Sequence, residues 1–303
     1  MVKNKSRYNI LVAKLILSLS SLLFFCGAIK ADEPDEVYIY KTINDISLKL
    51  HVFYPENWSV DDQRVGMIFI HGGGWLEGSP SQFFGQSAYL ASRGMVAICI
   101  EYRLGRMHGT TPRESIEDGK SALRWIRANA SKLGVNPQKF VVGGSSAGAH
   151  VAASSIMINQ INADLDDLAI PIDPVALILI NPVVNTGPDG YGYKRVKDYW
   201  KEISPSEHVQ SGLPPALVLF GDQDPICNNI AMEDFLEKMK NAGNNVELKI
   251  YKDYGHGFFM ISRCTKAYKM TLIDVDLFLV GLGLLDGEPD EAFLFKQIHE
   301  AEK

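Results

Sequence analysis

The 303-residue chain is 46% hydrophobic and 22% charged, proportions that exclude a disordered, collagenous or coiled-coil protein. Four Cys are too few for a disulfide scaffold, and no Cys/His tetrad has zinc-site spacing, so no metal is expected. The formal charge is −6, but residues 1–31 hold five basic side chains and no acidic one, which leaves 25 basic against 36 acidic residues beyond them, or −11. That sign repels phosphate backbones, so nucleic acid is not an expected partner.

The chain begins with Lys3, Lys5 and Arg7 and then runs apolar from Leu15 to Ala28. Those 14 residues fall short of the roughly 20 that a spanning helix needs. Ala28 and Ala31 supply small residues ahead of an acidic run, so 1–31 reads as a secretory signal peptide cleaved after Ala31. The expectation is a secreted or periplasmic protein with no stable membrane association after cleavage. An uncleaved anchor is the other reading, as is a lipoprotein modified at Cys26, although Phe25 is bulky for that. In an oxidising compartment Cys227 and Cys264 could pair, whereas Cys99 sits in an apolar run and reads as a buried thiol.

Over 32–285, short apolar runs alternate with helical patterns. Strands are expected at 37–41, 48–54, 65–70, 95–100, 140–143, 176–180, 216–220 and 246–251. Helices are expected near 81–93, 113–133, 147–159, 228–242 and 265–282, with Pro112 in a first turn and Gly134 as a stop. Such alternation predicts an α/β fold, a mostly parallel twisted sheet of about eight strands with helices on both faces. Residues 183–214 depart from it and read as a lid or binding insertion. Residues 286–303 read as an acidic, exposed tail or a short helix.

Gly144-Ser145-Ser146-Ala147-Gly148 follows a strand and opens a helix, the context that a G-x-S-x-G nucleophile turn requires. Ser146 is its central serine; Ser145 fails because Ala147 stands where its glycine would be. His71-Gly72-Gly73-Gly74-Trp75 also follows a strand, and consecutive glycines can turn their N–H groups toward an oxyanion. A phosphate loop would continue Gly-Lys-Ser/Thr, and Trp75-Leu76-Glu77 does not. A serine nucleophile needs a base and a carboxylate to orient it. Two strand ends supply them: Gly221-Asp222-Gln223-Asp224-Pro225, and Asp253-Tyr254-Gly255-His256-Gly257-Phe258. His256 is the expected base, and Asp224 is favoured over Asp222 as its partner. His71 more plainly braces the glycine loop.

Together with the Glu101-Tyr102-Arg103-Leu104 run, these motifs resemble the α/β-hydrolase superfamily. The likeness is narrower to its hormone-sensitive-lipase-like and carbohydrate-esterase-like branch of small carboxylesterases, and it spans roughly 37–285. The resemblance implies oxyanion donors at Gly73, Gly74 and Ala147, with Gly72 as an alternate. It also implies a structural pair of Glu101 and Arg103, and Asp118 in a buried hydrogen bond. Only about six residues separate Ala31 from the first strand, so no large helical cap is expected. The site should be open, shaped by Trp75, Tyr191 and Phe258 as substrate-binding residues. These features imply a secreted serine esterase that removes short acyl groups, acetyl on carbohydrate foremost, from a small-molecule or oligosaccharide ester without any cofactor. A feruloyl esterase or small-amide hydrolase is the alternative within the class, and a non-catalytic binding protein the alternative outside it.

Overall fold

In a computed structural model the described residues are 33–303, and the expected signal peptide over 1–31 lies outside them. Eight strands form one sheet: β1 (Glu36–Ile43), β2 (Ile46–Phe53), β3 (Arg64–Ile70), β4 (Val96–Ile100), β5 (Val135–Ser145), β6 (Ala176–Ile180), β7 (Ala216–Gly221) and β8 (Val246–Tyr251). Their order across the sheet is β1-β2-β4-β3-β5-β6-β7-β8. β2 pairs antiparallel with both β1 and β4, and every later pairing is parallel. The helices are α1 (Phe84–Ser92), α2 (Gly105–His108), α3 (Pro112–Ala128), α4 (Ala147–Met157), α5 (Tyr193–Val196), α6 (Trp200–Ile203), α7 (Asn229–Asn241), α8 (Thr265–Gly281) and α9 (Glu291–Ala301).

Strand alternation sorts the core into two layers. Ile68, Ile70, Val142 and Leu177 join Ile116 and Leu123 of α3, Val151 of α4 and Phe235 of α7. Met67, Phe69, Val141 and Ile178 join Leu90 of α1, Leu272 and Val275 of α8 and Leu294 of α9. With both faces covered, β4 and β6 are buried along their whole length, which is why they read as unbroken apolar runs.

α3 begins with a capping box: Thr111 accepts from Arg113 N, Glu114 accepts from Thr111 N, and Pro112 occupies the first turn. The helix ends at Ala128, earlier than its apolar spacing suggested. The chain then turns to Gly134, whose φ is +63° and where Trp58 Nε1 would lie 2.5 Å from any Cβ.

Three expectations are corrected. Of the two readings for residues 286–303, the exposed tail gives way to the short helix: α9 docks through buried Leu294 and Gln297, and Arg93 donates to the carbonyl of Asp286. Glu101 and Arg103 do not pair with each other. They are two residues apart and part to different neighbours: Glu101 bonds His51 Nε2 at 3.0 Å, and Arg103 grips the fully buried Asp118 through Nε and Nη2. Asp118 also accepts from Arg103 N and Lys41 Nζ, the buried structural role expected of it. Cys227 and Cys264 are both free. Each already has another partner: Cys227 Sγ donates to Asn181 O, just past β6, at 3.2 Å, and Cys264 Sγ caps α8 by accepting from Ala267 N at 3.4 Å.

The 183–214 insertion is a packed lobe. Val183, Val184, Val196 and Ile203 are buried in the main core, and Ser206 N and Thr186 N tie its two limbs together through Val184 O and Ser204 Oγ.

Candidate active site

β5 runs to Ser145 and α4 begins at Ala147, so Ser146 sits alone on the turn between them with φ +54° and ψ −122°. Backbone of this kind in a non-glycine residue costs about 1–3 kcal/mol and persists only where packing enforces it. Here the enforcement is visible. A Cβ on Gly144 would lie 2.5 Å from Ile70 O, and one on Gly148 would collide with the carbonyls of Ile70 and His71. The two glycines therefore let α4 lie against the end of β3. Ser146 N donates to Ile180 O at 2.9 Å, which fixes the turn from the β6 side, and the serine remains 8% exposed.

The glycine loop leaves β3 beside this turn, so closely that a Cβ on Gly72 would lie 3.1 Å from Ser145 O and 3.3 Å from Ser146 Cβ. Three side chains hold the loop. His71 Nδ1 donates to Gly72 O at 2.8 Å while its ring stacks on Tyr102 at 4.4 Å, and burial pushes its pKa down to about 4. Gln82 Oε1 accepts from both Gly72 N and Ser145 Oγ at 2.7 Å, linking the loop to the serine turn. Arg195 Nη1 donates to Gly74 O at 3.0 Å. With its N–H given to Gln82, Gly72 is withdrawn as an alternate oxyanion donor. Gly73 N and Gly74 N have no acceptor among the described residues, and Ala147 N belongs to the first turn of α4, where amides lack an intrahelical partner. Gln82 and Arg195 were missed from the sequence. Neither carries a motif, and each reaches the loop from a separate element.

The expected acid and base lie at the next strand ends. β7 stops at Gly221, and Asp224 lies in the following turn with its side chain fully buried. Asp224 Oδ1 accepts from Ile226 N and Cys227 N, which orients the carboxylate. His256 Nδ1 then donates to Asp224 Oδ2 at 2.6 Å. His256 keeps 20% of its side chain exposed. Asp222, the competing acid, instead accepts from Asp253 N at 2.7 Å and shapes the turn after β8.

The expected substrate-binding residues divide. Trp75 is 1% exposed and faces inward, where Nε1 donates to His150 Nδ1 at 3.1 Å. His150 Nε2 donates in turn to Ile203 O, and burial lowers its pKa to about 4, so the ring is neutral. Phe258 is 4% exposed and packs on the Tyr251 ring at 4.7 Å. Both are therefore core residues: adjacency to a motif fixes chain position and leaves the direction of the side chain to packing. Tyr191 does overhang the loop, with its hydroxyl 2.5 Å from where a Cβ on Gly74 would stand. A separate groove of about 570 Å³, lined by Lys41, Arg103, Arg124 and Trp125 among others, includes none of Ser146, Asp224 and His256.

The family model for the α/β hydrolase fold matches residues 67–260, which include Ser146, Asp224 and His256. This chain belongs to the α/β-hydrolase fold family. Esterase 2 of Thermogutta terrifontis, in its apo form, is 39% identical with a TM-score of 0.80, covering 84% of this chain and 96% of that one. Structures of the same esterase bound to propionate and phosphorylated by paraoxon are similarly close, each at a TM-score of 0.79. Carboxylesterase NlhH of Mycobacterium tuberculosis is 27% identical over 244 residues, 72% of this chain and 73% of that protein. Esterase LipC of the same organism is 26% identical over 225 residues, and the match spans 53% of its length.

Proposed function

We propose that this α/β hydrolase is an exported serine carboxylesterase acting on short-chain acyl esters, with acetylated carbohydrate as its substrate class. The observation that carries the reading is the 2.6 Å bond from His256 Nδ1 to the buried Asp224, in a chain that also holds Ser146 on a strained turn between strand and helix. A carboxylate can only accept, so the bond places the imidazole proton on Nδ1 and leaves Nε2 as an acceptor. Nε2 takes the proton of Ser146 Oγ as the hydroxyl attacks the ester carbonyl. The oxyanion is met by the N–H groups of Gly73, Gly74 and Ala147, each such donor typically lowering a barrier of this kind by about 2.7–4 kcal/mol. His256 returns the proton to the leaving alcohol, then activates the water that releases the acid.

The short acyl preference is supported by the related esterase that binds propionate, and serine chemistry by that esterase's phosphorylation by paraoxon. Export follows from the basic and apolar N-terminal segment. The test is acetate release from acetylated xylo-oligosaccharide by residues 32–303, beside hydrolysis of p-nitrophenyl acetate and labelling by a fluorophosphonate. Release that vanishes in Ser146→Ala supports the whole reading. Labelling and p-nitrophenyl acetate hydrolysis without acetate release would remove carbohydrate and keep the chemistry. Failure to label would remove the serine mechanism.

A further inference from the structure

Cys227 lies three residues beyond Asp224 in the same turn, buried; its backbone N–H helps to orient Asp224, but its thiol has no part in the hydrolytic scheme. One donor atom each from Asp224, Cys227 and His256 lies within 4.8 Å of the other two. Tetrahedral zinc with sulfur, nitrogen and oxygen ligands holds its donors about 3.5 Å apart. At the widest separation the cluster therefore needs a closure of about 1 Å, within the reach of small side-chain rotations. The donor set is a thiol, an imidazole and a carboxylate, the combination suited to a soft or borderline divalent cation.

We propose that Asp224, Cys227 and His256 form a site for a thiophilic divalent cation, Zn²⁺ or Cd²⁺, whose occupancy takes His256 from Asp224 and stops hydrolysis. The proposal rests on the reading of His256 as general base. The cation forms bonds to Cys227 Sγ, His256 Nδ1 and Asp224 Oδ2, and a water completes four-coordination. Cys227 loses the thiol proton that it now donates to Asn181 O, and that proton leaves to solvent. His256 moves its single proton from Nδ1 to Nε2. One thiolate and one carboxylate then balance the dication, so the assembled site is neutral, as a buried location requires. With a proton on Nε2, the imidazole can no longer accept one from Ser146.

The test titrates the protein with CdCl₂, following the ultraviolet charge-transfer band of a cadmium thiolate and, in parallel, p-nitrophenyl acetate hydrolysis relative to each variant's own metal-free rate. The expected result is a band that saturates near one equivalent, loss of activity along the same curve, and reversal of both by EDTA. Cys227→Ser should lack the band and require at least about tenfold more cadmium for half-inhibition, whereas Cys264→Ser should behave like the parent. Cys227→Ala, read in the same way, covers a serine variant that does not fold. Equal inhibition of parent and Cys227 variants, or a band that disappears with Cys264→Ser, would overturn the proposal. A band that depends on Cys227 in a protein that hydrolyses no ester would defeat the esterase reading and leave the metal site standing.

Discussion

Arg195 and Gly74 lie 121 positions apart in the chain and meet at 3.0 Å, where the guanidinium donates to the glycine carbonyl. The same guanidinium lies over the rings of Trp75 at 5.4 Å and Tyr191 at 5.3 Å. Gly74 and Trp75 both hold positive φ, +64° and +61°, so this stretch has little intrinsic preference for its conformation. The insertion that carries Arg195 thus sets the direction of the loop amides. Arg195→Ala should lower kcat by about ten- to a hundredfold with KM little changed, since a displacement near 1 Å costs that much in a positioned site. Steady-state kinetics on p-nitrophenyl acetate checks this, and an equal rise in KM would show a substrate contact instead.

Gln82 makes a comparable link by a different means. Its carbonyl oxygen accepts from Gly72 N and Ser145 Oγ together. Gln82→Leu leaves two donors without a partner, each costing about 1–3 kcal/mol. The expected outcome is a fall in unfolding free energy of about 2–6 kcal/mol together with reduced kcat, read by urea denaturation and kinetics on the same preparation.

Two aspartates share one loop and separate cleanly by partner. Asp224→Asn removes the acceptor that sets the His256 tautomer, and by analogy with serine proteases should lower kcat by about 10⁴. Asp222→Asn keeps an oxygen for Asp253 N and should stay within about threefold of the parent, because surface turn substitutions cost little. Comparable losses in both variants would place the orienting acid wrongly.

Acid should destabilise the fold before the carboxylates titrate. His71 and His150 are buried and neutral, each with a folded pKa near 4 against an unfolded value near 6.5. The unfolded chain therefore binds more protons below pH 6.5, so stability is full above that value and declines as pH falls toward 4. Each ring contributes about 3 kcal/mol of that decline at its acid end. Denaturant midpoints measured from pH 7.0 to 4.5 should fall steadily, and a flat profile would refute the assignment of neutral rings.

The order of strands along the chain, the parallel sheet and the strand-to-helix turn that holds Ser146 were legible from residue order alone. Buried parallel strands must be continuously apolar, and the serine turn must be flanked by small residues because carbonyls of β3 occupy the space where a side chain would go. Those constraints are local, so they leave local signatures. Choosing Asp224 over Asp222 needed the 2.6 Å contact with a histidine 32 positions away. Trp75 and Phe258 turned inward, Cys227 and Cys264 stayed apart, and Gln82 and Arg195 reached the glycine loop from other elements. Each of those outcomes depends on which face of the sheet a side chain meets and on what has packed there first. Spacing along the chain carries no record of that, and only the folded core decides it.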